Sequence, residues 1–221
     1  PPPARLTGRL PSARGGRPEV LLSGSATGFY GDRGDEILTE ACGPGEGFLS
    51  ELCLRWEAAA GPAARAGLRT VQSRTGLVVS SSGGLGRILG AAYRVGAGAR
   101  LGRGDQWQPW IGLEDAAAGL LWAIEHDDVH GPVNLTAPEP LRNRDLHRLL
   151  SRACGPPSMA VVPQVLLDRA GRTGAAGGTG SIGGMLAELL GASQRAVPQA
   201  LLASGFRFTA PGAASIWGLG T

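Results

Sequence analysis

The stretch Leu21–Asp32, LLSGSATGFYGD, limits the possible folds of this chain more than any other. The residues leading into it, Pro18–Ser23, have the length and composition of a short buried strand. The strand then breaks into small residues: Ser23, Gly24, Ser25, Ala26, Thr27 and Gly28. An aromatic pair, Phe29–Tyr30, and Gly31–Asp32 follow. Small residues at the carboxyl end of a parallel strand let a ligand approach the backbone, and open α/β sheets bind ligands at such ends. Hydroxyls placed there can donate to a substrate oxygen. The same residues also make an ordinary strand exit, since Ser and Gly are common in loops.

Downstream, apolar spacing predicts a helix over Gly47–Ala66, using Phe48, Leu49, Leu52, Cys53 and Trp56, broken or kinked at Gly61–Pro62. Gly67–Arg74 reads as the next strand, ended by Thr75–Gly76, with Leu77–Ser80 continuing extended. A loop at Ser81–Gly84 and a helix over Leu85–Arg94 follow. Gly96–Gln108 is rich in Gly and Arg and reads as a surface loop, and Trp110–Gly112 as a short extended piece. Leu113–Glu125 is a predicted helix whose positive first turn holds Glu114 and Asp115. Gly131–Thr136 is a predicted strand, and Asn143 a predicted cap for a helix with the stripe Leu146, Leu149, Leu150 and Ala153. After Pro156–Pro157 the pattern predicts short helices at Pro163–Ala170, Met185–Leu190 and Pro198–Ser204, and a closing strand at Phe206–Phe208. Gly171–Gly184, nearly all Gly, Ala, Ser and Thr, reads as a flexible loop.

Composition removes several functional classes. A chain of 221 residues, 43% hydrophobic, can bury one good core or one core and a small satellite. Its basic residues, 21 in number, are all Arg, scattered, and leave a net charge of only +3. A nucleic-acid surface needs a cluster or stripe with aromatics between, so no nucleic-acid partner is expected. No apolar run approaches membrane-span length, so no membrane partner is expected either. Cys42, Cys53 and Cys154 are odd in number and lack zinc-type spacing, which fits a reduced, cytoplasmic setting.

Ser25-Ala26-Thr27 followed by Tyr30-Gly31-Asp32 resembles a segment of extended short-chain dehydrogenases and nucleotide-sugar epimerases. The resemblance continues through Trp56-Glu57-Ala58-Ala59-Ala60, Arg74-Thr75-Gly76-Leu77-Val78, Gln106-Trp107 with Trp110-Ile111, Gly131-Pro132-Val133-Asn134, and Val197-Pro198 with Gly205-Phe206-Arg207-Phe208. It points to an atypical, little-characterised branch with a small carboxyl-terminal domain of unknown function. The implied fold is α/β: the carboxyl-terminal half of a Rossmann-like doubly wound parallel sheet with a small, mostly helical cap. The implied division is a linker or ragged start at 1–16, a partial NAD(P)-binding domain at 17–155, a small helical domain at 156–211 and a tail at 212–221. The family has a nucleotide-binding half with a glycine-rich turn ahead of such a segment, so the sequence reads as the carboxyl-terminal portion of a longer protein or as the product of a gene that lost its front end.

The resemblance implies an NAD(P)-dependent oxidoreductase or epimerase, with NADP or NAD as cofactor. The substrate would be a small molecule with a hydroxyl or carbonyl, of nucleotide-sugar type; a homodimer is one option for assembly. Ser25 would donate a hydrogen bond to the reacting oxygen, and Tyr30 would be the nearest phenol. Gly24, Ser25, Arg74, Thr75 and Gly76 would line the cofactor's nicotinamide end. Trp107 and Trp110, beside Arg100 and Arg103, would stack on a sugar or base and pair with phosphate; alternatively the indoles pack the loop onto the sheet. The family's usual Tyr-x-x-x-Lys dyad is missing. Counting back from Glu57 puts Cys53 at the lysine position and Leu49 at the tyrosine position, and the chain contains no lysine. A non-catalytic binding module, or an inactive fragment, is therefore the alternative. Gly178–Gly183 matches G-x-G-x-x-G but lacks a strand before it and an acidic residue after Glu188, so it reads as loop. His126-Asp127-Asp128-Val129-His130 sits at a helix-to-strand bend, where polar residues solvate the turn, and no metal is expected there. His147 falls off the apolar stripe and is expected to be exposed.

Overall fold

The computed structural model describes residues 18–80, 90–154, 160–163, 165, 190–210 and 212. In chain order its first elements are β1 (Val20–Ala26), a 3-10 turn (Thr27–Tyr30), β2 (Ile37–Leu38), α1 (Phe48–Arg65), β3 (Arg69–Thr75) and β4 (Leu77–Val79). Then come β5 (Ala99–Leu101), β6 (Trp107–Gln108), β7 (Trp110–Gly112), α2 (Leu113–Glu125) and β8 (Gly131–Leu135). β9 (Leu141–Arg142), α3 (Asn143–Cys154), β10 (Ala160–Val162), β11 (Arg195–Ala196) and α4 (Gln199–Ala203) complete the set. The strands expected at Leu77–Ser80 and Trp110–Gly112 form β4 and β7, which pair in parallel.

The sheet that carries the site is parallel, in the order β1-β3-β8. α1 makes the crossover from β1 to β3, as a parallel pair requires. The register places Ala26 beside Thr75 and Thr75 beside Leu135, so the three carboxyl ends are level. Fold class therefore follows the expectation: a Rossmann-like α/β arrangement on a parallel sheet.

The two faces of the sheet differ in chemistry. Val71, Val133 and Leu135 point to a core completed by Ile111, Ala116 and Ala123, with Leu201 and Phe206 from the carboxyl-terminal segment. The opposite face meets α1. There α1 buries Ser50, Cys53, Ala60 and Ala63, a stripe of small residues rather than the large apolar ones. Phe48 and Leu54 are left exposed. α2 does the same with Ala116, Gly119 and Ala123; a methyl group on Gly119 would stand 2.8 Å from the Leu135 side chain. Arg69, at the start of β3, donates to the carbonyl of Ala123 (2.8 Å), in the last turn of α2, and to that of Val129 (2.9 Å) in the bend that follows.

Several expectations need correction. Pro62 does not end α1, which runs on to Arg65. Gly96–Gln108 is not loop throughout: β5 pairs with β10, and β6 with β9. Phe206–Phe208 is not a strand; Phe206 stacks edge-on with Trp122 and Phe208 and fills the core. Asn143 is itself the first residue of α3, and its Oδ1 accepts the Leu101 N–H (2.9 Å) across to β5. His147 is not exposed: it is half-buried, with Nδ1 2.7 Å from the Tyr93 hydroxyl. Residues 90–94 are helical. The rest of the helix expected over Leu85–Arg94, the Gly171–Gly184 loop, the G-x-G-x-x-G match, and nearly all of the helices at Pro163–Ala170 and Met185–Leu190 lie outside the described residues.

Candidate functional site

Ser25 on β1, Arg74 on β3 and Asn134 on β8 are cross-strand partners, one row near the carboxyl ends. All three are buried. Glu57 from α1 and Tyr30 from the 3-10 turn complete a single polar cluster with them. The Arg74 guanidinium binds both oxygens of Glu57, with Nε at 2.8 Å and Nη2 at 2.9 Å, in the two-pronged geometry arginine favours. It also lies 3.5 Å over the Phe29 ring. Its Nη1 donates to the Tyr30 hydroxyl at 3.0 Å. That hydroxyl has the Asn134 Oδ1 (2.7 Å) and the Thr39 carbonyl (3.1 Å) as acceptors for its one proton. The Asn134 amide donates to the Leu38 and Val197 carbonyls, which ties the row to β2 and to the carboxyl-terminal segment.

Ser25 Oγ lies 2.8 Å from Glu57 Oε1. An ionised carboxylate only accepts, so the Ser25 proton points at Glu57. The serine consequently offers lone pairs, not a proton, to anything that approaches it. This reverses the direction expected from sequence.

The turn after β1 is locked by close backbone packing. Gly45 N donates to the Phe29 carbonyl (3.0 Å), and Ser50 Oγ has the Phe29 and Gly45 carbonyls (2.8 Å each) as acceptors for its one proton. Gly31 has φ +62°, and a methyl group there would meet Glu46 backbone atoms at 2.7 and 2.9 Å. Thr75–Gly76 is similarly tight: a methyl group on Gly76 would stand 2.7 Å from the Pro109 carbonyl. Gly24 is the opposite case. It is exposed, and a methyl group there would meet nothing within 4 Å.

Burial pushes the Tyr30 phenol up to about 12, with Arg74 and Asn134 holding it back from a larger rise. For Arg74, burial works against the charge, but Glu57 and Tyr30 outweigh it and its pKa is raised. Arg74 is therefore charged, and the phenol neutral, at any physiological pH. A folded pKa above the ordinary 10.0 means that the folded state holds this proton more firmly. Stability is thus unaffected by Tyr30 below pH 10 and falls as the pH rises through about 12, by on the order of 2–3 kcal/mol. In a Tyr93→Phe variant, where Tyr30 is the one remaining tyrosine, phenolate absorbance is expected to stay flat through pH 10.5 and to appear only with unfolding or near pH 12. Phenolate appearing with a midpoint near 10 in the folded protein would contradict the cluster.

The loop that leaves β1 and the segment that leaves β8 both run to one polar pocket of about 610 Å³. Asp32, Asp35, Arg103, Asp105, Arg142 and Ser193 are among its lining residues. Trp107 lies close by, with the Arg142 and Arg195 guanidinium groups 4.3 and 4.7 Å from its ring centre. Its indole N–H donates to Asp35 at 2.7 Å, and this bond, with Arg142, holds the exposed Asp35 carboxyl below its usual range.

The structure thus gathers Ser25, Tyr30 and Arg74 into one cluster and sets Arg103 and Trp107 at or beside the pocket. Tyr30 has no exposed surface, so its hydroxyl braces the cluster from within. Trp110 is 1% exposed, donates to the Glu139 carbonyl and belongs to the core with Leu77 and Val79, so it does not reach the pocket. Arg100 lies on β5 outside the pocket lining. Thr75 points to the other face and pairs with Ser73 (2.9 Å). Leu49 packs over Gly28, and burial pushes the Cys53 thiol up, so neither stands in for the missing tyrosine or lysine. His126 stacks on Trp122 at 3.5 Å; among the described residues no group of three or more His, Cys, Asp or Glu could hold a metal ion. Sequence reading missed the roles of Glu57 and Asn134. The signal for Glu57 was its spacing, four residues after Cys53 and three before Ala60 on the stripe that faces the sheet.

Comparison with known proteins is consistent with this geometry. Residues 182–215 match a family described as a domain of unknown function, DUF1731. The chain is 39% identical over 189 residues to the epimerase family protein Mb2239 of Mycobacterium bovis, covering 86% of this chain and 59% of that protein. It is 32% identical over 194 residues to the epimerase family protein YfhF of Bacillus subtilis, covering 87% and 60%. It thus spans about three-fifths of the length of these relatives. The human epimerase family protein SDR39U1, solved with NADPH, superposes with a TM-score of 0.81 at 25% identity, over 97% of this chain and 68% of that one. A nucleoside-diphosphate sugar epimerase from Corynebacterium glutamicum superposes with a TM-score of 0.71 at 34% identity, over 98% and 40%. No helix among the described residues is long and apolar enough to cross a membrane.

Proposed function

We propose, from its similarity to epimerase family proteins, that this chain forms the substrate-facing part of an NAD(P)-dependent oxidoreductase or epimerase acting on a small hydroxyl or carbonyl substrate. The observation that carries this reading is the level set of strand ends, crowned by small residues and braced by the Ser25–Arg74–Asn134 row. Open space against Gly24 supports a cofactor ring beside β1. The described residues fit the nicotinamide end of such a cofactor: Gly24, Ser25 and the Thr75–Gly76 backbone would hold it. Bound there, NADP or NAD would supply a hydride acceptor or donor.

The rest of the chemistry falls to the chain itself. Ser25, with its proton committed to Glu57, would accept a hydrogen bond from a substrate hydroxyl and orient it. Arg74 keeps Glu57 fixed in place, so the serine cannot turn its proton outward without losing its bond to the carboxylate. The polar pocket would take the body of the substrate. Its mix of carboxylates and guanidinium groups, with Arg103 paired to Asp105 and Arg142 to Asp35, suits a hydroxyl-rich molecule such as the sugar of a nucleotide sugar.

Titration with NADPH, followed by fluorescence of the five tryptophans, is expected to give a saturable change. A flat response would remove the reading. The absence of a proton-transferring dyad, with Leu49 and Cys53 in its place, favours a second reading in which the groove binds without turning over. Saturable NADPH binding with no hydride transfer to or from UDP-glucose or UDP-glucuronic acid would support it.

A further inference from the structure

A second cavity lies outside this site. It has a volume of about 80 Å³ and lies between α3, β5 and the helical residues 90–94. None of its lining residues lines the large polar pocket. Most of the wall is aliphatic, with Leu77, Leu101, Leu146 and Leu150 prominent. Besides Asn143, whose Oδ1 accepts the Leu101 N–H, two polar features interrupt it. The first is the Tyr93–His147 pair, joined at 2.7 Å. The second is Gln108, which is 1% exposed. Its amide nitrogen donates to the Leu190 carbonyl at 2.8 Å, but its Oε1 has no hydrogen-bond partner among the described residues.

A buried carbonyl without a donor forfeits the hydrogen bond it would make in water, so native structures rarely leave one without a reason. A void of this size, about half that of an apolar cavity known to admit benzene, holds a few atoms rather than a ring system. We propose that this cavity is a binding site for a small uncharged group with an aliphatic body and one hydrogen-bond donor, a short-chain alcohol or the hydroxyl-bearing end of a longer molecule, whose donor is accepted by Gln108 Oε1. The aliphatic wall selects the body, and the unpaired carbonyl selects a donor over an acceptor. The site is independent of the NAD(P) reading, since it shares no residue with that site.

The test uses two probes of equal heavy-atom count, 2-propanol, which can donate, and acetone, which cannot. Methyl resonances of Leu101, Leu146 and Leu150 in the full chain are followed by NMR. For probes of so few heavy atoms, millimolar affinity is the expected range. Saturable shifts confined to these methyls with 2-propanol, and at least about tenfold weaker binding of acetone, are the expected result. Gln108→Leu keeps the apolar wall and removes the acceptor, and is expected to erase that preference. No saturable shift with 2-propanol, or equal binding of the two probes by the unaltered chain, would overturn the proposal without recourse to the variant. An unchanged preference in Gln108→Leu would overturn the role of Gln108.

Discussion

Glu57→Ala is expected to cost about 3–5 kcal/mol of stability, the typical effect of removing one partner from a buried ion pair. The Arg74 side chain is 5% exposed and that of Glu57 15%, so solvent cannot take over the lost partner. Without Glu57, the guanidinium would keep only the Phe29 ring, the Tyr30 hydroxyl and the distant Glu40 carbonyl. A domain of this size has about 5–15 kcal/mol in all, so the variant would lose much of its margin. Urea unfolding checks this as a lower midpoint at unchanged slope. Removing both charges, as Glu57→Leu with Arg74→Met, is expected to recover much of the loss, because no ion is then left buried alone. Arg55→Ala breaks a pair whose side chains are 79% and 69% exposed and is expected to change stability by less than about 0.5 kcal/mol. A Glu57→Ala effect as small as that would show that the pair does not brace the strand ends.

The second large effect is expected from a single methyl group. In Gly45→Ala the added carbon would collide with the carbonyl of Tyr30 and approach Gly31 Cα at 2.9 Å. These are backbone atoms, so no side chain can turn aside to relieve the overlap. The turn after β1 would have to move, and with it the Phe29 carbonyl that Gly45 N and Ser50 Oγ both hold. A loss above about 4 kcal/mol is expected, in the rare range reserved for severe overpacking or strain. Gly43→Ala, two residues away, meets nothing within 4 Å and is expected to be near neutral. Paired thermal melts of the two variants check the contrast. Similar melting temperatures would contradict the tight closure of residues 29–31 against 45–46.

How much of this could be read beforehand depended on how local the cause was. β1 and its small-residue exit were legible because strand composition and the Ser/Gly break lie within a few adjacent residues. α2 was legible to the residue because its acidic first turn and apolar period are both internal to it. The buried face of α1 was legible only in part: Cys53 of the stripe read from sequence is buried, but Phe48 at its start is exposed. Close packing on the sheet buries the small residues Ser50, Ala60 and Ala63 beside Cys53. Short pairings such as β5 with β10 and β2 with β11 join residues about sixty or more than one hundred and fifty positions apart, as their registers show. Nothing in two- or three-residue segments announces such partners. At the site, Ser25 and Tyr30 stood out by composition. The burial of Tyr30, and the direction of the Ser25 hydrogen bond, depended on Glu57, Arg74 and Asn134 arriving from three other elements.

The most direct test maps a ligand onto the strand ends. The full chain, labelled with ¹⁵N, is titrated with NADPH and its backbone amides are followed. The account predicts saturable shifts concentrated at Gly24–Thr27 and at Thr75–Gly76, with the amides of Gln108 and Leu150 unmoved. Shifts that bypass both strand ends, or no saturable shift at all, would contradict it.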